Sequence, residues 1–341
     1  MNYYLYGKSG LRVSELCLGT MTFGEEWGYG ANKEESRKIF NAFLEKGGNF
    51  IDTANRYTEG SSELFLGDFI KESGRRDELV IATKCSLFTK PGRINDGGTH
   101  RKGMMQNLEG SLKRLQLDYV DLLYVHAWDF SVAEDEVMRT LDDAIRQGKV
   151  MNIAVSDTPA WMIARCNTLA ELKGWSRFSG MQVEYSLITR DADRDLLPLA
   201  EYTNMAVTAW APLAGGALSG KYLQQNNDPK RLKEGSRRLN EQSTRIAQTV
   251  VDIAKENNCA PVQVALNWIR QRKQHIIPII GARSIEQFNE SLNCLDHQLS
   301  PSQLQRLDEV SAIELGFPHD FLKQDGVKMV MYGGLRDKII F

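Results

Sequence analysis

Cysteine is scarce and scattered. Only Cys17, Cys85, Cys166, Cys259 and Cys294 occur in 341 residues, with no CxxC spacing among them. An odd number of widely separated thiols excludes a disulfide framework and a zinc ribbon, and predicts free thiols in a reducing compartment. No long hydrophobic run is present either. The longest mostly apolar stretch, Met205 to Leu218, is too short to span a bilayer and is interrupted by Pro212, Gly215 and Gly216. The first ten residues lack the basic start and apolar run of a signal peptide, so a cytoplasmic location is the expectation and no membrane association is foreseen. Charge of either sign is not in excess. The 42 basic and 44 acidic residues give a formal net charge of −2, which offers no basic field for nucleic acid. With 42% hydrophobic residues and only nine prolines, the chain has ample material for a core and is not disordered.

What is there is a repeating alternation. β-rich runs fall at Leu16–Leu18, Asn49–Asp52, Leu79–Lys84, Tyr119–His126, Val150–Ser156, Met181–Tyr185, Ala206–Trp210 and Ile276–Ile280. Between them lie helical patterns such as Lys33–Lys46, Ser61–Lys71, Met104–Leu115, Ala133–Arg146, Leu196–Thr203 and Pro261–Gln271; Ile39, Phe43 and Leu44 in the first share a helix face. Strands separated by helices pair in parallel, because parallel neighbours need crossover connections. At 341 residues, two domains or one large barrel are both open by length. The count of units and the lack of a linker predict one domain over residues 1–341, a (β/α)8 barrel. Three segments fall outside the repeat: Tyr3–Val13, read as a hairpin capping the barrel floor; Gly215–Thr244, a long polar insertion; and, beyond an extra C-terminal helix, an aperiodic tail from Ala312.

In such a barrel the strand C-termini converge on one face, where sites form. Three consecutive strands end there on Asp52, Lys84 and His126, with Tyr57 in the loop after the second. Each has a plain structural reading: the aspartate can cap a helix, the lysine can reach solvent, and a single histidine is often structural. Together they form an acid–phenol–ammonium–imidazole set suited to moving a proton to or from an oxygen on carbon. A free phenol titrates near 10, and bringing it to neutrality takes roughly 4 kcal/mol of differential interaction, which a nearby ammonium is expected to supply in large part. Hydrolytic signatures such as GxSxG and HExxH are absent, and no metal site is expected. No GxGxxG follows the first strand, which argues against a Rossmann half. Anion-binding backbone is instead offered by Ala214 to Lys221 after the seventh strand, and by Gly281-Ala282-Arg283-Ser284 after the eighth, where Ser284 reads as a helix N-cap. Tight βα turns explain both segments equally well.

These residues resemble the aldo-keto reductase superfamily over about Tyr4 to Leu299. The most specific piece is Asp52-Thr53-Ala54-Asn55-Arg56-Tyr57 followed by Glu63; Leu115 to His126 resembles the family's helix-to-strand signature, and Lys84 follows Ile81-Ala82-Thr83. The resemblance implies Tyr57 as proton donor to a carbonyl, Lys84 and Asp52 as the groups that tune it, and His126 as the group that orients substrate. It implies NADPH as cofactor, extended across the barrel mouth. Gly19, Thr20, Met21 and Asp52 line its path. Ser156, Asp157 and Gln182 meet the carboxamide, and Trp210 stacks on the nicotinamide. Ala211, Pro212, Leu213, Gly215, Ser219 and Lys221 cover the pyrophosphate, and Gly281, Arg283, Gln287 and Glu290 take the 2′-phosphate and adenine. Asp157 and Ser291 depart from the asparagines usual at their places. The Gly281-x-Arg283 spelling and the long insertion resemble the branch of potassium-channel β subunits and bacterial general reductases.

Phe23, Trp27, Phe88 and Trp128, in loops after strands one, three and four, can wall an apolar substrate pocket or simply pack. The leading expectation is an NADPH-dependent reductase of small-molecule aldehydes or ketones, compatible with a homo-oligomer. The competing one is a nucleotide-sensing regulatory subunit with slow turnover, against which stands an N-terminus that opens almost directly on the hairpin. A lyase with a Schiff base on Lys84 comes last, since it leaves Tyr57 without a role.

Overall fold

The computed structural model describes residues 1–223, 232–233 and 235–340. Strands β1 (Tyr3–Leu5) and β2 (Arg12–Ser14) form an antiparallel hairpin. The repeat then runs β3 (Cys17–Gly19), α1 (Lys33–Glu45), β4 (Phe50–Asp52), α2 (Ser61–Ser73), β5 (Val80–Cys85), α3 (Arg101–Leu115), β6 (Val120–Val125) and α4 (Glu134–Arg146). It continues with β7 (Val150–Ser156), α5 (Ala160–Lys173), β8 (Phe178–Glu184), α6 (Leu196–Thr203), β9 (Ala206–Trp210), α7 (Glu241–Glu256), α8 (Pro261–Arg270), β10 (Ile277–Ile280) and α9 (Ile285–Leu292). After the barrel come α10 (Pro301–Val310), α11 (His319–Lys323) and α12 (Asp325–Tyr332). Strands β3 to β10 close into one parallel barrel, with β10 pairing back to β3.

The strands are short and buried on both sides, as the central staves of a helix-wrapped parallel sheet must be. Every residue of β5 and β6 is buried. The helices turn one face inward; α4 buries Val137, Met138, Leu141 and Ala144 and leaves its acidic first turn outside. Inside the staves a small cluster including Tyr6, Phe50, Leu122 and Tyr124 fills the lower barrel. Tyr6 reaches it from the hairpin turn, and its hydroxyl meets that of Tyr124 at 2.6 Å; Tyr124 in turn meets Thr208 at 3.2 Å. The hairpin is therefore a plug for the floor, and the opposite, C-terminal mouth is left open.

Two features differ from the sequence-based expectation. The insertion after β9 ends sooner than Thr244, because Asn240 and Ser243 form a reciprocal cap that starts α7 at Glu241. Part of this insertion lies outside the described residues. The tail from Ala312 is not without structure: it folds into α11 and α12, both too short to show a helical period in sequence. No helix among the described residues is long and apolar enough to cross a membrane, and all five cysteines are free.

Gly7 sits at φ +60° in the hairpin turn, where an added Cβ would collide with the carbonyl oxygen of Ser179. Gly7→Ala is therefore expected to destabilise the fold by roughly 1–3 kcal/mol, the range for a strained left-handed residue. A lower denaturation midpoint at unchanged slope checks this.

Candidate active site

The mouth receives its chemistry from three neighbouring staves. Asp52 closes β4, Lys84 is the penultimate residue of β5, and His126 directly follows β6, its amide still bonded to Cys85 O at 2.9 Å. Tyr57 arrives by a different route. The backbone turns sharply behind it, with Thr58 and Glu59 at φ +45° and +54°, and Thr58 is anchored by its hydroxyl to Phe23 O at 2.6 Å. Such left-handed residues are rare outside glycine and mark a place where the surroundings dictate the backbone.

Lys84 is the hub. Its side chain is fully buried, and Nζ lies 2.6 Å from Asp52 Oδ2, 3.0 Å from Thr53 O and 3.0 Å from the Tyr57 hydroxyl. An ammonium has three protons, so all three are engaged. Because Lys84 donates to the phenol oxygen, the phenol's own proton is not used in that bond and is free for another acceptor. Asp52 Oδ1 accepts from Gln182 Nε2 at 2.8 Å, which fixes the carboxylate from the far side of the barrel. Burial opposes the charge on Lys84, but Asp52 and Tyr57 outweigh it and hold the ammonium above its ordinary range.

The expectation that Lys84 brings the phenol toward neutrality is corrected. Burial pushes Tyr57 up more strongly than Lys84 pulls it down, and Asp52 adds to the rise, so the phenol stays protonated above its ordinary value of 10.0. His126 stands with its ring centroid 5.9 Å from that of Tyr57, edge to face. Burial and the neighbouring Lys84 lower it to about 3, so it is a neutral imidazole; its Nδ1 is buried with no hydrogen-bond partner among the described residues.

Beside this cluster opens a cavity of about 590 Å³, lined among others by Ser156, Asp157, Gln182, Glu184, Trp210 and Arg238. That volume suits a small organic ligand. Trp210 Nε1 donates to Asp157 Oδ1 at 3.2 Å. One amide hydrogen of Gln182 is spent on Asp52, so its second N–H and its carbonyl oxygen remain to face a ligand. Gly19 ends β3, and Met21 is half-buried next to it. Thr20 is fully buried, and its hydroxyl is committed to Asp52 O and Ser62, so it braces the wall. After β9, Ala211, Ala214 and Gly215 take left-handed backbone around Pro212 and Leu213; Ser219 bonds to Gly216 O, and Lys221 lies against Tyr222.

At the last stave the helix N-terminus is already occupied. Ser284 accepts from Gln287 N, and Glu35, reaching over from α1, accepts from Ile285 N at 2.6 Å. Of the groups next to Gly281, the Arg283 guanidinium remains: it makes no ion pair among the described residues, whereas its backbone amide meets Gln287 Oε1 at 3.4 Å. Glu290 is exposed one turn along and also lines a second cleft beside α8, while Ser291 is buried.

The aromatic set divides. Trp27 stands edge to face with Tyr57 at 6.4 Å and donates to Glu59 at 3.0 Å. Phe88 is exposed, with Arg56 over its ring at 4.8 Å. Trp128 is buried, its indole nitrogen without a hydrogen-bond partner among the described residues. Phe23 is corrected: it is fully buried and packs edge to face on Phe69 in the core, so it does not wall the mouth. Residues that the sequence did not single out are Arg56, beside Tyr57, and Glu184 with Arg237 and Arg238. Arg238 bonds to Glu184 and lies 6.0 Å from the Trp210 ring. The sequence signal for Arg237 and Arg238 was the basic character of the insertion, which does not say which arginine turns inward.

The aldo/keto reductase family model matches residues 15–312, and the chain belongs to that family. It is thus an enzyme of an oxidoreductase family built on a (β/α)8 barrel. A norsolorinic acid reductase of Emericella nidulans is 36% identical, over 92% of this chain and 82% of that protein. An aryl-alcohol dehydrogenase [NADP(+)] of Phanerodontia chrysosporium is 35% identical, over 91% and 86%, and an aryl-alcohol dehydrogenase of Pestalotiopsis microspora is 34% identical, over 93% and 84%.

Two outcomes test the electrostatics. Lys84→Met leaves Asp52 buried without its cation and should cost about 3–5 kcal/mol of stability; adding Asp52→Asn should restore part of it, as read by chemical unfolding. His126 is harder to protonate folded than unfolded, so its contribution is complete above its ordinary value of 6.5 and is lost as pH falls from there toward about 3. His126→Asn should flatten that part of the acid limb in a stability–pH curve measured beside the wild type.

Proposed function

We propose that this protein is an NADPH-dependent reductase of aldehydes and ketones, with aromatic carbonyls and their alcohols as the substrate class. The observation that carries this reading is the phenol of Tyr57, whose oxygen accepts from a buried ammonium at 3.0 Å and which burial holds above its ordinary pKa, so that it keeps a proton to give.

When bound, a reduced nicotinamide nucleotide supplies the hydride. The groups lining the cavity fit such a ligand in kind, Gln182 and Ser156 for an amide and the Trp210 ring for a flat heterocycle, while the Arg283 guanidinium, after the last stave and outside that lining, suits a phosphate. This chain's residues then do the following. The neutral His126 donates to the carbonyl oxygen and positions it. Tyr57 gives its proton to that oxygen as negative charge builds there, a transfer worth orders of magnitude in rate. Lys84, held by Asp52, stabilises the phenolate left behind until solvent returns the proton. Trp27 offers an apolar ring beside the phenol, and Phe88 lies under the guanidinium of Arg56, the residue before Tyr57. The aryl-alcohol names of two relatives support an aromatic substrate, and the Gly281-x-Arg283 spelling supports a place near the branch of channel β subunits and general reductases.

Tyr57→Phe keeps the ring and removes the proton. The chemical step should fall by at least about a hundredfold while nucleotide Kd stays within about twofold; near-normal single-turnover hydride transfer would refute the role. Tight nucleotide binding by the wild type with negligible turnover of every carbonyl tried would favour the regulatory-subunit reading instead.

Cofactor choice rests on Arg283. Because Glu35 and Ser284 take the nearby helix amides, the guanidinium is the group available to a 2′-phosphate, through charge-assisted hydrogen bonds of about 1.5–3 kcal/mol each. Arg283→Ala should weaken NADPH at least about tenfold and leave NADH nearly unchanged, as measured by fluorescence titration.

A further inference from the structure

On the rim of the mouth, the loops after β6 and β7 hold out two large aromatic side chains that the proton-transfer cluster does not use. Phe130 is 57% exposed and Trp161 is 61% exposed, and their rings lie nearly parallel, 26° apart with centroids at 6.3 Å. Two exposed aromatics stacked on the catalytic face of a barrel are costly to leave in water and call for a reason.

The placement of Phe130 is imposed. Its φ is +57°, left-handed backbone that a bulky side chain is rarely given. The residue before it clamps the loop: Asp129 accepts from Thr99 N and Oγ1 at 2.8 Å each, and from Ser131 N and Oγ at 2.9 Å each. Four hydrogen bonds on one carboxylate hold the phenylalanine outward before any ligand arrives. Trp161 sits in the first turn of α5, two residues beyond Pro159, which lines the cavity next to Asp157. On the other side, Thr99 belongs to the same β5–α3 loop as Phe88, whose ring lies by Arg56 next to Tyr57. Both residues thus lie just beyond strand C-termini, Phe130 four residues after His126 and Trp161 two residues after a residue that lines the cavity.

We propose that Phe130 and Trp161 form an outer subsite that stacks the distal rings of an extended, planar aromatic substrate whose carbonyl reaches Tyr57 and His126. A one-ring substrate does not extend to it; a polycyclic one does. The proposal rests on the carbonyl-reductase reading and names the substrate class within it.

The test compares a one-ring aromatic aldehyde with three-ring and four-ring aromatic ketones, in the wild type and in Phe130→Ala and Trp161→Ala. Both side chains are exposed, so both variants should fold. Each is expected to raise KM for the polycyclic ketones about tenfold with kcat nearly unchanged, and to leave the one-ring aldehyde within twofold. In parallel, quenching of Trp161 fluorescence by a polycyclic alcohol, taken as the difference between wild type and Trp161→Phe, reads binding without turnover. Equal effects on both substrate sizes, no effect on either, or a change in oligomeric state with Trp161→Ala would overturn the subsite. If no carbonyl is reduced by the wild type, the reductase reading fails, and the fluorescence titration still decides the subsite by itself: saturable quenching supports it and its absence refutes it.

Discussion

A lysine ammonium with no exposure to water is the interaction on which the rest of the mouth depends. An unpaired buried charge is prohibitively costly, so Lys84 can exist there only because Asp52, the Thr53 carbonyl and Tyr57 converge on it. Those three come from one strand and the loop after it, and Lys84 comes from the next strand. The ion pair therefore fixes the stagger between β4 and β5 at their ends, and with it the direction of the phenol. Gln182 extends the same constraint across the barrel interior to β8. Loosening any of these would not merely weaken a contact; it would leave a charge stranded.

Against that cluster, inside the barrel, lies a chain of hydroxyls, Tyr6 to Tyr124 to Thr208, that ties the hairpin to β6 and β9, with Tyr124 in register with Lys84 and Thr208 with Gln182. Phe50, Leu122 and Ala154 are among the apolar residues packed with it. The division leaves one face for stability and the other for chemistry, as expected for parallel barrels. Non-glycine residues with positive φ occur on both sides of it: Thr58, Ser86, Phe130, Asp157, Ala211 and Ala214 follow strand C-termini, whereas Gln116, Asn204 and His275 precede β6, β9 and β10.

Much of this was legible in sequence because two periods coexist in it. Buried strands such as Tyr119–Val125 read as short apolar runs, and helices such as α1 carry Ile39, Phe43 and Leu44 on one side. Asp52, Lys84 and His126 were legible because they sit at strand ends, where the register leaves little choice, and Tyr57 because it follows Asp52 at a fixed short spacing in the next loop. Elsewhere tertiary contacts decided. The strand β8 begins at Phe178, three residues before the run Met181–Tyr185, because Gly180, a poor strand former, is the residue that makes room for the Tyr6 ring. Phe23 looked like a loop aromatic, but its loop folds back onto α2. The net rise of the Tyr57 phenol depends on how much protein surrounds it, a quantity that no local pattern contains.

The barrel's first and last staves meet at a seam that the chain itself does not stitch. Between β3 and β10 only two residue pairs are in register, Cys17 with Ile279 and Leu18 with Ile280. Closure is reinforced by side chains that cross the gap: Thr22 to Ala282 O at 2.6 Å, Glu35 to Ile285 N at 2.6 Å, and Arg270 to Glu15 at 2.6 Å. β10 is also joined to β9 at only two register pairs, and regions held by few bonds are where native proteins open first. Arg283 stands on this seam. A molecule held there and against β3 would add its grip across the gap, so its occupancy and the closure of the barrel would be linked by mass action, each favouring the other.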